Sequence, residues 1–215
     1  MSGCCTPGAY GKVFGKKQAR KYLRKYRKQG LPADARFGID FLAGRGITGG
    51  TVLEVGGGIG AVQVELVEHG ADHVCGVELS PEYEEAAAAL REEKGVSEER
   101  VERRIGDFVT NADSLSDADA VVLFRVVCCY PDYPGLLEAA AAKARRFLVV
   151  SFPPDGWAAG AFVALMNVFL RLSRSEFRIY AHSHAGMIAV AERHGFHPVA
   201  RQRSGLWSTV ALAMG

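Results

Sequence analysis

No stretch of about 20 consecutive apolar residues occurs in the 215-residue sequence, so no segment reads as a membrane-spanning helix. Met1 to Gly15 lack the apolar block of a secretory signal, and a cytoplasmic protein is expected. Cysteine is scarce and poorly placed for a disulfide framework. The five residues stand as Cys4-Cys5, Cys75 and Cys128-Cys129, an odd number with two adjacent pairs, so reduced thiols are expected. No C-x-x-C spacing points to structural zinc. His182, His184, His194 and His197 offer no i, i+4 pair of the kind that binds metal on a helix, so no metal is expected. Internal repeats are absent, and the alanine runs at 86–89 and 139–142 are helix-forming segments.

Acidic residues are missing from residues 1–33, which carry nine basic ones: Lys12, Lys16, Lys17, Arg20, Lys21, Arg24, Lys25, Arg27 and Lys28. The whole chain has a net charge of +2, so residues 34–215 hold 17 basic against 24 acidic side chains, a balance of −7. Such a split marks an arm that meets an anion, whether phosphate, a lipid surface or an acidic substrate. Ala19, Tyr22, Leu23 and Tyr26 recur at helical spacing among these cations. They predict a basic amphipathic helix from Lys16 to Gln29, stopped by Gly30 and Pro32. With a second helix near Ala33 to Gly44, residues 1–48 read as a helical arm or lid and 49–215 as the main domain.

What the main domain has is alternation. With 48% hydrophobic residues and 25 glycines, the chain suits one α/β domain with a substantial core. Strands are predicted at Thr51–Val55, His73–Leu79, Val101–Ile105, Ala120–Val127 and Phe147–Phe152. Helices are predicted at Ala61–His69, Glu82–Lys94 (capped by Ser80 with Pro81), Gly135–Arg145, Ala158–Leu172 and Ser183–Arg193. Strands separated by helical crossovers imply a Rossmann-like, doubly wound, mostly parallel sheet. Two closing strands, Pro198–Arg203 and Trp207–Ala213, are separated only by Ser204-Gly205-Leu206 and predict a C-terminal antiparallel hairpin.

Gly56-Gly57-Gly58-Ile59-Gly60 follows the first strand and opens a helix, where backbone N–H groups can approach a ligand closely. The glycines alone are ambiguous. Gly56-x-Gly58-x-Gly60 fits a site for S-adenosylmethionine, whereas Gly56-x-Gly58-x-x-Ala61 fits a nicotinamide dinucleotide. Four features favour the first. Glu54 lies two residues before Gly56, where a carboxylate suits an ammonium group and suits a pyrophosphate badly. Glu78, followed by Leu79, ends the second strand and can accept from both ribose hydroxyls. Asp107 after the third strand can accept from an adenine amino group while Phe108 covers the ring. Finally, helices precede the first strand and a hairpin closes the sheet.

On these residues, positions 51–150 resemble the class I S-adenosylmethionine methyltransferase core, which implies methyl transfer by an enzyme of that fold. A narrower resemblance reaches further. Asp119 to Pro131, the strand ending Ser151-Phe152-Pro153-Pro154, and Tyr180-Ala181-His182 are similar to magnesium-protoporphyrin O-methyltransferases. That family uses a His just before its Tyr-Pro step in catalysis, and this chain has Cys129 there. The resemblance implies a small acceptor that is large for its class, apolar and acidic, such as a porphyrin-like carboxylate.

In open α/β sheets ligands sit beyond the carboxyl ends of the strands. Phe124 and Arg125 are therefore expected at the cofactor's edge and Cys129 and Tyr130 at the acceptor, as candidate catalytic residues. Tyr10, Phe14, Tyr180 and His182 are candidate acceptor contacts. If the arm closes as a lid, Cys4 and Cys5 would meet Cys128 and Cys129. The almost continuously apolar helix at 158–172 reads as core, a homodimer face, a cover over the acceptor or a membrane-surface contact. Two other functions remain open at this level. One is an RNA methyltransferase using the basic arm; the other is a non-catalytic or nicotinamide-binding Rossmann protein.

Overall fold

The computed structural model describes Tyr10, Gly11 and residues 13–215. Seven strands form its central sheet: β1 (Thr51–Val55), β2 (His73–Glu78), β3 (Val101–Ile105), β4 (Ala118–Phe124), β5 (Ala144–Phe152), β6 (Phe196–Ser204) and β7 (Trp207–Met214). Their order is β3-β2-β1-β4-β5-β7-β6. The first five are parallel, and β7 runs antiparallel to both β5 and β6. Val121, Val122 and Leu123 of β4 and Leu148 and Val149 of β5 are buried without a break. A strand covered on both faces has no reason to alternate polar and apolar residues. The two edge strands do carry charge, Glu102, Arg103 and Arg104 on β3 and Arg201 and Arg203 on β6, which discourages pairing with another chain.

Eight helices complete the described fold: α1 (Lys16–Gln29), α2 (Ala33–Gly44), α3 (Ala61–Glu68), α4 (Glu84–Glu93), α5 (Phe108–Asn111), α6 (Tyr133–Lys143), α7 (Trp157–Leu172) and α8 (His184–Arg193). On one face of the sheet, Leu136 and Leu137 of α6 and Met187 and Val190 of α8 pack on Leu53, Leu123 and Leu148. On the other, Ile39 and Leu42 of α2 and Val62 and Leu66 of α3 pack on Val52, Val122 and Val149. Each such side chain contributes about 1.5–3 kcal/mol by leaving water. Residues 33–44 thus share the core of the sheet. The apolar stripe of α1, Ala19 and Leu23, rests on Tyr83 and on Leu90 of α4. Tyr26 anchors it by donating to Glu65 of α3 at 2.9 Å, the carboxylate that Arg36 of α2 also grips. Burial and this neighbour push the Tyr26 hydroxyl up to about 12.

Several boundaries differ from the sequence reading. β4 stops at Phe124, not at Val127, because Arg125 turns into the left-handed region with φ 62° and a short helical turn, Val127–Cys129, follows. Ala144 and Arg145 begin β5 and do not end a helix. Ser80 does not cap the next helix; its hydroxyl donates to the Phe14 carbonyl at 2.8 Å and ties the arm to the end of β2. The hairpin turn shortens to Gly205-Leu206, as Ser204 pairs with Trp207. No helix among the described residues is long and apolar enough to cross a membrane. Apolar as it is, α7 is not core: none of its side chains is buried.

Candidate active site

A cavity of about 320 Å³ opens beyond the carboxyl ends of β1, β2 and β4. Its floor is the turn from β1 into α3. Gly56 has φ +73°, and a Cβ there would stand 2.5 Å from Val126 Cγ2, so a side chain would be strained and would collide with the turn after β4. Gly57 and Gly58 also line the cavity; Gly60 does not, and caps α3 behind it. Backbone thus forms the surface at the start of a helix, with the Gly56 and Gly57 N–H groups held by the Val77 carbonyl and the Gly58 N–H by Glu78.

Glu54 lies at the cavity and is almost fully buried. Its Oε2 accepts from Gln63 Nε2 at 2.8 Å. The Gln63 oxygen in turn accepts from Arg103 Nη1 at 2.9 Å, and Arg103 Nη2 donates to the Gly58 carbonyl at 2.8 Å while pairing with Glu84. One guanidinium from β3 therefore holds both the glycine turn and the amide that orients Glu54. Burial pushes the Glu54 carboxyl up to about 7, against the pull of Gln63 and Arg103. A cationic ligand would offset that penalty, and Oε1 is left for it.

Glu78 accepts from Gly58 N–H through Oε2 at 2.7 Å and from Ser80 N–H through Oε1 at 2.8 Å. Burial raises its pKa despite these bonds. Each oxygen retains a second lone pair for a hydroxyl. Asp107 caps α5, its Oδ1 accepting from Thr110 N–H at 2.9 Å and from the Thr110 hydroxyl at 3.0 Å. It nonetheless lines the cavity with Leu79 and buried Phe108. Tyr83 lies beside Gly58, and among the described residues its buried hydroxyl has no hydrogen-bond partner. A buried orphan of this kind costs about 1–3 kcal/mol unless a ligand meets it. The carboxylate for an ammonium, the acceptors for hydroxyls and the exposed backbone together fit S-adenosylmethionine.

The turn after β4 forms a further wall of the cavity, the candidate acceptor side. Phe124 reaches the cavity past Gly38, where a Cβ on α2 would lie 2.5 Å from the Phe124 ring. Arg125 also lines the cavity, but its guanidinium is committed to buried Asp34 through bonds of 2.8 and 2.6 Å and stacks 4.8 Å over Trp207. Its backbone N–H donates to Ser151 at 2.9 Å. These contacts hold the positive φ, a conformation that costs a non-glycine residue on the order of 1 kcal/mol.

Cys129 and Tyr130 both face the cavity. The Cys128 and Cys129 sulfurs are 3.6 Å apart, and this contact holds the Cys128 thiol below its usual range. Cys4 and Cys5 lie outside the described residues. Among the described residues no three His, Cys, Asp or Glu side chains gather as a metal site.

Tyr10 and Phe14 line the cavity from the arm. Tyr10 donates to the Cys129 carbonyl at 2.6 Å and stacks on Phe14, and the Phe177 ring meets both edge-on. Tyr180 and His182 sit behind the turn, outside the cavity lining: Tyr180 N–H donates to the Cys128 carbonyl at 2.7 Å, and His182 Nε2 lies 2.9 Å from the Tyr130 carbonyl. Burial lowers the His182 pKa and favours the neutral ring. Gln63, Arg103, Tyr83 and the cavity-lining Tyr22 and Lys25 were not singled out as site residues from sequence. Only the position of Tyr83, shortly after Glu78 and Ser80-Pro81, offered a local signal.

Residues 23–198 match the model of a family described as a methyltransferase domain. Mouse EEF1A lysine methyltransferase 2 is 28% identical over 103 residues, 48% of this chain, and the match spans only 35% of that protein's length. Magnesium protoporphyrin IX methyltransferase from Synechocystis PCC 6803, solved with bound SAH, superposes with a TM-score of 0.67 at 20% identity, covering 84% of this chain and 82% of that one. A putative sarcosine dimethylglycine methyltransferase from Galdieria sulphuraria gives 0.69 at 12% identity, covering 88% of each chain. At such identities the likeness is one of fold. The family match over most of the sequence carries more: this chain belongs to the methyltransferase domain family and is an enzyme whose methyl donor is S-adenosylmethionine.

Proposed function

We propose that the accepting molecule is small, flat, largely apolar and acidic, a porphyrin-like carboxylate. The observation that carries this reading is the lining that the arm gives the cavity. The arm supplies Tyr10, Phe14 and Tyr22 as ring faces and Lys25 as a cation, a surface suited to a planar apolar body with an anionic edge. Bound S-adenosylmethionine supplies a methyl group already activated on a sulfonium, so the chain's task is alignment and exclusion of water. Tyr10 and Phe14 close the acceptor end through the Cys129 carbonyl and Phe177. A carboxylate is ionised near neutral pH and needs no base, so in this reading Cys129 and Tyr130 shape the pocket.

Transfer of labelled methyl groups to porphyrin carboxylates and to their methyl esters tests the proposal. Turnover with free acids and none with esters is expected; equal turnover, or none with any acid, would overturn it. Cys129→Ser is expected to retain activity within about tenfold. A loss on the order of a hundredfold, with cofactor affinity intact, would instead place acid–base chemistry on the thiol.

A further inference from the structure

The longest helix in the described fold presents its apolar side chains outward. α7 has 16 residues and no buried side chain. Trp157 is 88% exposed, Leu172 76%, Phe162 61% and Leu165 55%, and Val168 and Phe169 are exposed as well. Spacings of three and four residues from Phe162 through Leu165 and Phe169 to Leu172 put these groups on one side of the helix. Its inner side is held differently: Asn167 exchanges two hydrogen bonds with the Ile179 backbone, at 2.8 and 3.0 Å. The outward orientation is therefore fixed by the fold.

Cations stand at the end of this surface and on the arm. Arg171 and Arg174 close the helix, both exposed. On α1, Lys17, Lys21, Arg24, Lys25 and Lys28 are exposed and form no ion pair among the described residues; only Lys16, Arg20 and Arg27 of that helix do. The two regions meet beside the cavity, where Phe177, on the irregular segment returning from α7, packs on Tyr10 and Phe14 just ahead of α1. A second copy of the chain fits α7 less well. At 1.5 Å per residue and about 10 Å wide, the helix offers roughly 240 Å², far below the ~800 Å² per partner of a stable interface. A bilayer needs no matching surface, and its anionic headgroups complement the cations.

We propose that α7 lies in the headgroup region of an anionic membrane, with the cations of α1 alongside, so that the cavity mouth stands at the lipid surface. Docking of this kind does not depend on which acceptor is methylated. The test uses the full chain with vesicles of phosphatidylcholine alone or mixed with phosphatidylglycerol, read by flotation and by Trp157 fluorescence. Flotation with the anionic vesicles and a blue shift that Trp157→Phe removes are expected. The combined change Leu165→Ser, Val168→Ser and Leu172→Ser is expected to lower vesicle partition at least tenfold while leaving S-adenosylhomocysteine affinity unchanged. No flotation with either vesicle, or equal flotation of the triple variant, would overturn the proposal. So would light scattering that finds a dimer which the triple variant dissolves, since the face would then belong to a second copy.

Discussion

The two sides of the cavity are built in opposite ways. On the cofactor side, Glu54 and Gln63 are buried and bonded to one another, Glu78 takes two backbone N–H groups, and Arg103 clamps the glycine turn. On the acceptor side, closure rests on the Tyr10 hydroxyl and a cluster of three rings. Charge recognition at a fixed cofactor requires preorganised, desolvated partners, because reorganisation would consume the gain. An acceptor that must enter and leave requires surfaces that open at small cost.

The largest expected contrast is in stability. Leu123→Ala in β4, fully buried, should cost about 2–5 kcal/mol, whereas Leu165→Ala on α7, 55% exposed, should change stability by less than about 0.5 kcal/mol. Urea melts of both variants measure this, and equal losses would mean that α7 is covered in solution.

Next comes Glu54. Its folded carboxyl titrates at about 7 against 4.5 for a free one, so between these values the folded state holds a proton that the unfolded state has released. The ligand-free protein should therefore lose stability as pH rises through that window, by roughly 3 kcal/mol in all. Glu54→Gln should flatten the profile. Cofactor binding should strengthen over the same rise, since the ammonium partner requires the ionised form, and calorimetry at pH 6 and pH 8 checks that opposite trend.

The smallest effect is expected at the clasp. Tyr10→Phe removes the bond to the Cys129 carbonyl and should cost about 0.5–1.5 kcal/mol of closure. Acceptor KM should rise with S-adenosylhomocysteine affinity unchanged; a matching loss of cofactor affinity would join the two sides into one unit.

The cofactor side was legible because its signals are local. Glu54, the glycines, Glu78 and Asp107 each lie at the end of a strand that the apolar pattern already marks, and the doubly wound sheet follows from the alternation of those strands with helices. Asp107 reads from sequence as an adenine acceptor; in the fold it also caps α5, which occupies one oxygen. Gln63 and Arg103 were not legible: they meet across 40 residues of sequence, and an edge-strand arginine ordinarily faces water. Tyr180 and His182 read as acceptor contacts because they are aromatic and polar, yet their bonds run to the backbone of the turn after β4.

By itself the sequence determined the strand–glycine turn–helix unit, the basic α1 and the closing hairpin, since periodicity, glycine placement and net charge act over a few residues. Tertiary structure alone decided three other matters. It committed Arg125 to Asp34, 91 residues away, and brought Tyr10 to Cys129 across 119 residues. It also turned the apolar side of α7 outward, where sequence left core and surface equally open. A hydrophobic stripe specifies only that it should leave water; what it meets depends on the face of the sheet that remains uncovered. Here α6 and α8 fill one face and α2 and α3 the other, which leaves α7 outside the core.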